Sequence, residues 1–287
     1  MNKEKWTKSN IPDLTGKVII VTGGNSGLGF ESVKAFAEKG AEVILTSRDM
    51  QKGNDAKSEI EKGSVPGKIV VMPLDLMDFA SIRRFSEEFL RKYDRLDVLL
   101  NNAGIMTTPY FLTKDGLEAQ NGTNHFGHFL LTGLLIDRIK NTPGARVVNV
   151  SSSAHKQGKM DFDNLLFEDG KGYSPLKSYG RSKLANLLFS LELQNRFEKQ
   201  GIDALAVSAH PGVSPTNLAR HVEGKFWFKL LMPIFKLISH SPDKGALPEI
   251  RASVDPDVKG GEYYGPHKGM TGFPELAETS DAAKNLA

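Results

Sequence analysis

The segment Lys17-Val18-Ile19-Ile20-Val21-Thr22-Gly23-Gly24-Asn25-Ser26-Gly27-Leu28-Gly29-Phe30 joins a short apolar run to a turn with three spaced glycines. Residues 18–21 are typical of a buried parallel strand, and residues 31–38 have a helical pattern that Gly40 closes. A strand, a glycine turn and a helix in this order direct backbone N–H groups and the positive end of a helix dipole toward a phosphate. Glycine permits both the sharp turn and the close approach of a pyrophosphate. The segment therefore predicts a phosphate-binding turn, although an ordinary glycine-rich loop can have the same pattern.

Apolar runs and helical patterns alternate along the chain up to residue 208. Strands are predicted at 18–21, 41–46, 68–72, 97–100, 145–150 and 203–208, and further helices at 50–62, 78–93, 122–139 and 179–200. Strands that are apolar throughout, separated by helices, are typical of a parallel sheet covered on both faces. The predicted fold class is therefore α/β, a doubly wound parallel sheet flanked by helices, with ligands at the carboxyl ends of the strands. The pattern loosens after residue 208, and the tail after about Gly265 is expected to be frayed.

Composition excludes several classes of protein. The chain has 287 residues, of which 39% are hydrophobic and 25% charged, and its formal net charge is +3. This length and hydrophobic content favour one large domain over residues 1–287. The near-neutral charge, without a long Lys/Arg block, gives no support for a nucleic-acid partner. The absence of cysteine excludes disulfides, thiolate nucleophiles and Cys-based zinc sites.

Neither a leader nor a metal site is expected from the sequence. The first ten residues are polar and lack the apolar core of a signal peptide, and no apolar run is long enough to predict a membrane span. A cytoplasmic location is the default expectation. The histidines that could have chemical roles have no metal-like spacing, so packed or capping roles are favoured for them: His125, His128, His155 and His210.

Four motifs, in order and at suitable spacing on this alternation, resemble the short-chain dehydrogenase/reductase family. They are Thr22-Gly-Gly-Asn-Ser-Gly-Leu-Gly29, Asn101-Asn-Ala-Gly104, Ser152 and Tyr179-Gly-Arg-Ser-Lys183. The resemblance covers roughly residues 14–265. The wide spacing between Ser152 and Tyr179, and the Ser-Lys-Leu-Ala-Asn run that follows, are similar to the retinol dehydrogenase and protochlorophyllide reductase-like branch. The resemblance implies a Rossmann fold and hydride transfer between a nicotinamide cofactor and a carbonyl or alcohol.

The resemblance also implies a set of cofactor contacts. They lie in the glycine turn, at the ends of the next strands, on the catalytic helix and in the loop after residue 210: Gly23, Asn25, Ser26, Gly27, Leu28, Gly29, Ser47, Arg48, Asp75, Leu76, Asn102, Ala103, Gly104, Tyr179, Lys183, Pro211, Gly212, Val213 and Thr216. Structural alternatives stay open for several of them. The asparagines could cap loops, Asp75 and Leu76 could form a helix-start turn, and Pro211 and Gly212 could be plain turn residues.

The end of the second strand favours NADP(H) over NAD(H). An NAD site needs a carboxylate there for the ribose 2′-hydroxyl, whereas an NADP site needs a cation. This chain has Ser47 followed by Arg48, whose guanidinium can bind a 2′-phosphate. Asp49 is interpreted as the cap of the following helix. NADP(H) is therefore the predicted cofactor and NAD(H) the alternative, unless Arg48 is only a solvated surface residue.

Tyr179 and Lys183 are the predicted reacting pair. Four residues apart on a helix, they share one face, and the ammonium is expected to lower the pKa of the phenol toward the working range. Tyr173 and Lys177 have the same spacing, but Pro175 lies between them, which argues against a shared helical face.

The resemblance adds two catalytic residues to this pair. Ser152, rather than its neighbours Ser151 and Ser153, would orient the substrate carbonyl. Asn124 would hold a water that connects to Lys183, unless it is an ordinary helix asparagine.

Residues 226–238 are the most apolar part of the chain, within a segment of about 212–250 that covers the substrate in this family. A lid of this kind favours a bulky apolar carbonyl or alcohol, such as a retinoid, steroid, lipid-derived or xenobiotic compound. Core packing and a membrane-surface helix that makes a peripheral contact are the alternatives.

Two other functions fit parts of the pattern. A non-catalytic NAD(P)-sensing protein would have no reason to retain Ser152, Tyr179 and Lys183 together. A nucleotide-sugar epimerase usually has a differently spaced glycine motif and a larger C-terminal region. The predicted partner is a small-molecule substrate, and the resemblance allows a homo-oligomer formed through the Tyr179 helix and the helix before it.

Overall fold

The computed structural model describes residues 5–212, 241–267, 272–280 and 283–284. Its strands are β1 Val18–Val21, β2 Glu42–Ser47, β3 Lys68–Pro73, β4 Val98–Asn101, β5 Ala145–Val150, β6 Ala204–Ala209, β7 Tyr263–Pro266 and β8 Pro274–Leu276. They form one sheet in the order β3-β2-β1-β4-β5-β6-β7-β8. All neighbours pair in parallel except β7 and β8, which are antiparallel.

Helices connect the parallel strands. They are α1 Gly27–Glu38, α2 Met50–Glu61, α3 Phe79–Lys92, α4 Ala119–Asn121, α5 Gly127–Lys140, α6 Pro175–Lys199, α7 Pro242–Gly245 and α8 Leu247–Val254. A π-helical stretch, Gly122–Phe126, lies between α4 and α5. The strand order reverses between β1 and β4. Sheets of this kind bind ligands at the carboxyl ends of the strands on either side of such a reversal.

Two apolar cores cover the two faces of the sheet. Phe36 of α1, Ile60 of α2 and Ile250 of α8 belong to one core. Phe89 of α3, Leu135 of α5 and Phe197 of α6 belong to the other. Burial of large apolar side chains on both faces is the main stabilising contribution of such a sheet. The predicted fold class, a doubly wound α/β sheet in a single domain, is therefore confirmed.

Three predicted elements differ from the structure. The helix predicted at 122–139 begins at Ala119 and is interrupted by the π-helical stretch. The helix predicted from Tyr179 begins at Pro175, because proline is tolerated in the first turn, where its missing N–H would have no helical partner. The tail after Gly265 was expected to be frayed, but β8 pairs with β7 and completes the sheet edge.

Most of the predicted substrate-covering segment lies outside the described residues, including 226–238 and the predicted contacts Val213 and Thr216. The described part from Ser241 onward forms α7 and α8. Leu247 and Ile250 of α8 are buried in the core beside α1. This part of the segment therefore packs on the sheet, and the substrate-covering role stays a prediction for the remainder.

Candidate active site

A cleft of about 520 Å³ opens at the carboxyl ends of the central strands. Most of the predicted site residues line it: Gly23, Asn25, Ser26, Gly27, Leu28, Ser47, Arg48, Asp75, Leu76, Asn102, Ala103, Gly104, Ser152, Tyr179, Lys183, Pro211 and Gly212. Gly29 and Asn124 are buried behind the cleft wall. The topology thus brings residues from seven separate stretches of chain to one cavity, at the strand edge where the fold predicts a ligand.

The glycine turn has the geometry that a diphosphate needs. Gly23 and Gly27 have φ values of +67° and +59°, a backbone region that other residues rarely adopt. A Cβ on Gly29 would lie 2.5 Å from the Gly23 carbonyl oxygen, so only glycine fits there. Ser26 precedes α1 but makes no side-chain capping bond, which leaves the first-turn N–H groups directed at the cleft. The residues present therefore fit the diphosphate of a dinucleotide.

Thr22 ties this turn to the neighbouring strand and helix. Its Oγ1 accepts hydrogen bonds from the backbone N–H groups of Asn102 and Ala103, each at 2.9 Å. The same oxygen lies 2.9 Å from Nε2 of His128, whose Nδ1 lies 3.0 Å from the Asn124 carbonyl oxygen. Burial lowers the pKa of His128 to about 3, so this histidine is a neutral packing residue. Thr22 has no titratable chemistry and was missed as a site residue.

Arg48 and Lys52 form the cationic rim of the cleft. Ser47 Oγ donates to the Asp49 carbonyl at 2.8 Å, and Oδ1 of Asp49 accepts from the Lys52 N–H at 3.2 Å. Asp49 therefore caps α2, as its sequence position predicts. Arg48 is exposed at the rim, and Lys52 lines the cleft one helical turn after Asp49. Lys52 was missed, because the family pattern directs attention only to the end of β2.

Asp75 lies in a turn before α3, which the sequence allows as the alternative to a cofactor contact. Its Oδ1 accepts a hydrogen bond from the Met77 N–H at 3.0 Å, while the cap of α3 is Asp78. Asp75 and Leu76 both line the cleft. Their position is therefore compatible with the turn and with a cofactor contact at once.

Tyr179, Lys183 and Ser152 meet at the floor of the cleft. The Ser152 hydroxyl is close enough to the Tyr179 phenol to affect its pKa. Lys183 Nζ lies 5.7 Å from the centroid of the Tyr179 ring and donates to the Val150 carbonyl at 2.8 Å. Ser151 is turned away, since its hydroxyl donates to the Lys183 carbonyl at 2.8 Å. The geometry thus distinguishes Ser152 from Ser151 as the serine beside the phenol.

The electrostatics of this group differ from the expectation. Burial raises the pKa of Tyr179 to about 12, and the bond from Ser152 only partly opposes it. Burial lowers the pKa of Lys183 to about 8, against the opposing charge of Glu249 on α8. Burial therefore outweighs the lowering of the phenol pKa that the sequence predicts from Lys183, because desolvation disfavours the charged form of a fully buried phenol.

Asn124 braces the cleft wall from within the π-helical stretch. Its Oδ1 accepts from the Ile105 N–H at 2.8 Å, and its Nδ2 donates to the Ile105 carbonyl and to Ser182 Oγ, both at 3.0 Å. A Cβ on Gly104 would lie 3.2 Å from Asn124 Oδ1 and 3.6 Å from Lys183 Nζ. Asn124 is thus next to Lys183, and its water-holding role stays a prediction.

Comparison with known proteins assigns the family. The model of the short chain dehydrogenase family matches residues 17–164. The chain belongs to the short-chain dehydrogenase family. It is 41% identical over 259 residues to retinol dehydrogenase 12 of Mus musculus, covering 90% of this chain and 80% of that protein. Retinol dehydrogenase 13 of Homo sapiens is 39% identical over 285 residues, covering 98% and 84%.

A solved structure has the same fold over nearly the whole chain. The crystal structure of an uncharacterized protein from Mycobacterium paratuberculosis has a TM-score of 0.81 at 39% identity, covering 98% of this chain and 92% of that one. This chain is therefore a retinol dehydrogenase-like member of the short-chain dehydrogenases, which are NAD(P)-dependent oxidoreductases. Family membership leaves the epimerase and the non-catalytic sensor without support.

Tyr173 of this short-chain dehydrogenase has a structural position. Its hydroxyl donates to the Thr108 carbonyl at 2.8 Å and accepts from Gln120 Nε2 at 3.0 Å. It lies two residues before α6 begins, so it shares no helical face with Lys177. Tyr179 is therefore the tyrosine that faces the cleft.

Apolar side chains that sequence reasoning missed extend the cleft beyond the hydroxyl groups. Ile105, Met106, Ala154 and Leu176 line it, and Leu176 is 64% exposed. They lie in irregular segments or at a helix start, where apolar residues have no periodic pattern. Among the described residues no acidic, histidine or cysteine cluster could hold a metal, and no helix is long and apolar enough to cross a bilayer.

Proposed function

We propose that this short-chain dehydrogenase uses NADP(H) and reduces the carbonyl group of a bulky apolar substrate. The observation that carries the proposal is that Tyr179, Ser152 and Lys183 line the same cleft, with Lys183 Nζ 5.7 Å from the centroid of the Tyr179 ring. A phenol and a hydroxyl that line one cleft can together hydrogen-bond one carbonyl oxygen.

The charge of the rim supports NADP(H). Arg48 and Lys52 line the cleft at the end of β2, and Ser47 stands where a carboxylate would select NAD(H). Asp49, which follows Arg48 in sequence, accepts the Lys52 N–H and forms an ion pair with Lys52 Nζ at 3.3 Å. A 2′-phosphate at this rim would meet two cations instead of a free acid.

The protonation of Tyr179 supports the reductive direction. With a pKa raised to about 12, the phenol carries its proton throughout the physiological range and can donate it to a carbonyl oxygen. Ser152 would orient that oxygen, and Lys183 would hold positive charge beside the developing phenolate. Bound NADPH would supply the hydride that the carbonyl carbon receives.

Apolar residues at the cleft support a bulky substrate. Ile105, Met106 and Leu176 line the cleft with apolar surface. Leu176 is exposed, so covering it with an apolar ligand would contribute favourably to the free energy of binding. The relatives named retinol dehydrogenases act, by name, on a large apolar alcohol. A retinoid-, steroid- or lipid-like carbonyl is therefore the proposed class, with xenobiotic ketones and aldehydes as further candidates. The cytoplasmic location, a homo-oligomer and a peripheral membrane contact remain predictions.

Two measurements test this function. Fluorescence titration should give a lower Kd for NADPH than for NADH, and a panel of apolar aldehydes and ketones should give turnover with NADPH. Tyr179→Phe should keep the Kd for NADPH and lose kcat by about 10²–10⁴-fold, the usual contribution of a positioned acid. Tyr173→Phe is the matched control and should keep kcat. A Tyr179→Phe enzyme with nearly full activity would refute the mechanism, and a clear NADH preference would refute the cofactor assignment.

A further inference from the structure

His155 is a buried histidine directly behind Ser152. It lies in the 3₁₀ turn Ser153–Gln157, and only 1% of it is exposed. Its Nδ1 lies 2.6 Å from the Ser152 carbonyl oxygen, which also accepts the His155 backbone N–H at 3.0 Å. His155 therefore holds the backbone carbonyl of Ser152, a residue that lines the cleft.

The other ring nitrogen of His155 reaches the C-terminal tail. The backbone N–H of Ser280 donates to Nε2 at 3.2 Å. The tail is fixed to the sheet upstream of this contact, since β8 pairs with β7 and the Ala277 N–H donates to the Tyr263 carbonyl at 2.7 Å. His155 thus connects a segment 125 positions away in sequence to the serine of the site.

Two polar partners of the His155 ring require one tautomer, and a third, the Tyr263 hydroxyl 3.4 Å from Nδ1, can donate or accept. The Ser152 carbonyl can only accept, so Nδ1 must carry the proton, and the Ser280 N–H can only donate, so Nε2 must be unprotonated. The surroundings favour this neutral form: burial and the charge of Lys156 lower the pKa of His155, while the Ser152 carbonyl opposes them. Tyr263 packs edge-on against the ring at 5.4 Å between centroids.

We propose that His155 is a positioning residue through which the C-terminal tail, residues 272–280, sets the position of the Ser152 hydroxyl. We use the name His155 bridge for the two contacts of the His155 ring, with the Ser152 carbonyl and with the Ser280 N–H. The proposal rests on the function proposed above, because it assigns the bridge to the serine that orients the substrate oxygen. An apolar residue at position 155 would leave the Ser280 N–H without this acceptor.

Two amide substitutions separate the halves of the bridge. The asparagine amide reaches the position of Nδ1 and can still donate to the Ser152 carbonyl, whereas the glutamine amide reaches the position of Nε2 and can still accept from Ser280. We expect His155→Asn, which loses only the contact with the tail, to lose about three- to tenfold in kcat and His155→Gln to lose about ten- to 100-fold, the scale of a small misplacement of a reacting group. The Kd for NADPH should stay unchanged in both, since Ser152 orients the substrate.

A second pair of variants tests the tail. Ser280→Pro removes the N–H donor, and Ser280→Ala keeps it as the matched control. Ser280→Pro should lower kcat in the wild-type background but have no further effect in His155→Asn, because the bridge is already open there. Nitrogen-15 NMR of the ligand-free protein should show His155 protonated at Nδ1 only, and Ser280→Pro should shift the Nε2 resonance.

The outcomes distinguish the bridge from the proposed function. A wild-type enzyme without turnover on any carbonyl would refute the function, and the catalytic role of the bridge with it. An active wild type whose His155→Gln and Ser280→Pro variants fold and keep full kcat would overturn the bridge alone. Equal losses in His155→Asn and His155→Gln, or an Nε2-protonated ring, would also overturn it.

Discussion

At the scale of single residues, Arg48 is the residue on which the proposed NADP(H) preference depends. Its exposed guanidinium lines the cleft at the end of β2, where the adjacent Asp49 caps α2. Arg48→Gln should raise the Kd for NADPH about ten- to 100-fold, the worth of a charged hydrogen bond, while the Kd for NADH changes little. Lys57→Gln, on α2 and not among the residues that line the cleft, is the control. An equal rise for both cofactors would contradict the assignment of Arg48 to the 2′-phosphate.

Lys183 and Glu249 predict the pH dependence of activity. The pKa of Lys183 is lowered to about 8 by burial and held up by the negative charge of Glu249. The kcat/KM for NADPH, which reports groups of the free enzyme, should therefore fall as Lys183 loses its proton near pH 8. Glu249→Gln removes the charge that favours the ammonium, so this limb should move to lower pH by roughly one unit. An unchanged limb in the variant would show that Glu249 has no influence on Lys183.

Sequence reasoning found the site residues that share a short motif and missed those assembled by the fold. Tyr179 and Lys183 are four positions apart on one helix, so their proximity follows from helical geometry alone. Ser32 donates to Glu249 Oε1 at 2.7 Å although the two are 217 positions apart. No local pattern predicts such a contact, because it depends on the packing of α8 against α1.

At the scale of elements, the start of α1 depends on backbone approach. A Cβ on Gly29 would lie 2.5 Å from both the Gly23 carbonyl oxygen and Asn102 Nδ2, so Gly29→Ala must displace the glycine turn. We expect a loss of about 1–3 kcal/mol in the free energy of unfolding, and weaker NADPH binding. Gly133 lies in the exposed middle of α5, where an added Cβ would meet nothing within 4 Å. Gly133→Ala should therefore raise the free energy of unfolding by about 0.5–1 kcal/mol. Calorimetry of both variants measures the contrast, and similar shifts would refute the close-approach argument.

The elements that were predicted well are those with one strong pattern. β1 and β5 begin and end where the apolar runs do. The break between α4 and α5 has no sequence signal, because the residues around Asn124 are compatible with a continuous helix. The Asn124 side chain accepts the Ile105 N–H, a contact that no local pattern predicts. β8 was missed because three residues with a proline are too short for a period-two pattern and form a strand only by pairing with β7.

At the scale of the whole molecule, the apolar cores on the sheet also contain ionisable groups of the site. Lys183 is 3% exposed and Glu249 2% exposed, and they interact electrostatically from opposite sides of the central strands' carboxyl ends. One oxygen of Glu249, Oε2, has no hydrogen-bond partner among the described residues. Burying an ionised carboxylate without a hydrogen-bond partner lowers the free energy of unfolding. Glu249 therefore destabilises the fold while its charge favours the protonated form of Lys183.

The pH dependence of stability should reveal this cost. In the unfolded chain Glu249 ionises near its ordinary pKa of 4.5, whereas burial raises its pKa in the folded protein to about 7. Between these values the folded state keeps a proton that the unfolded state has released, so the free energy of unfolding falls as pH rises from about 4.5 to about 7 and the contribution is constant above. The shift corresponds to a loss on the order of 3 kcal/mol. Glu249→Gln keeps an acceptor for Ser32 and cannot ionise, so its stability relative to wild type should grow by about this amount over the same pH interval, as measured by urea unfolding. The exposed Glu192→Gln is the control. If the stability difference between Glu249→Gln and wild type stays constant over this pH interval, burial does not raise the pKa of Glu249.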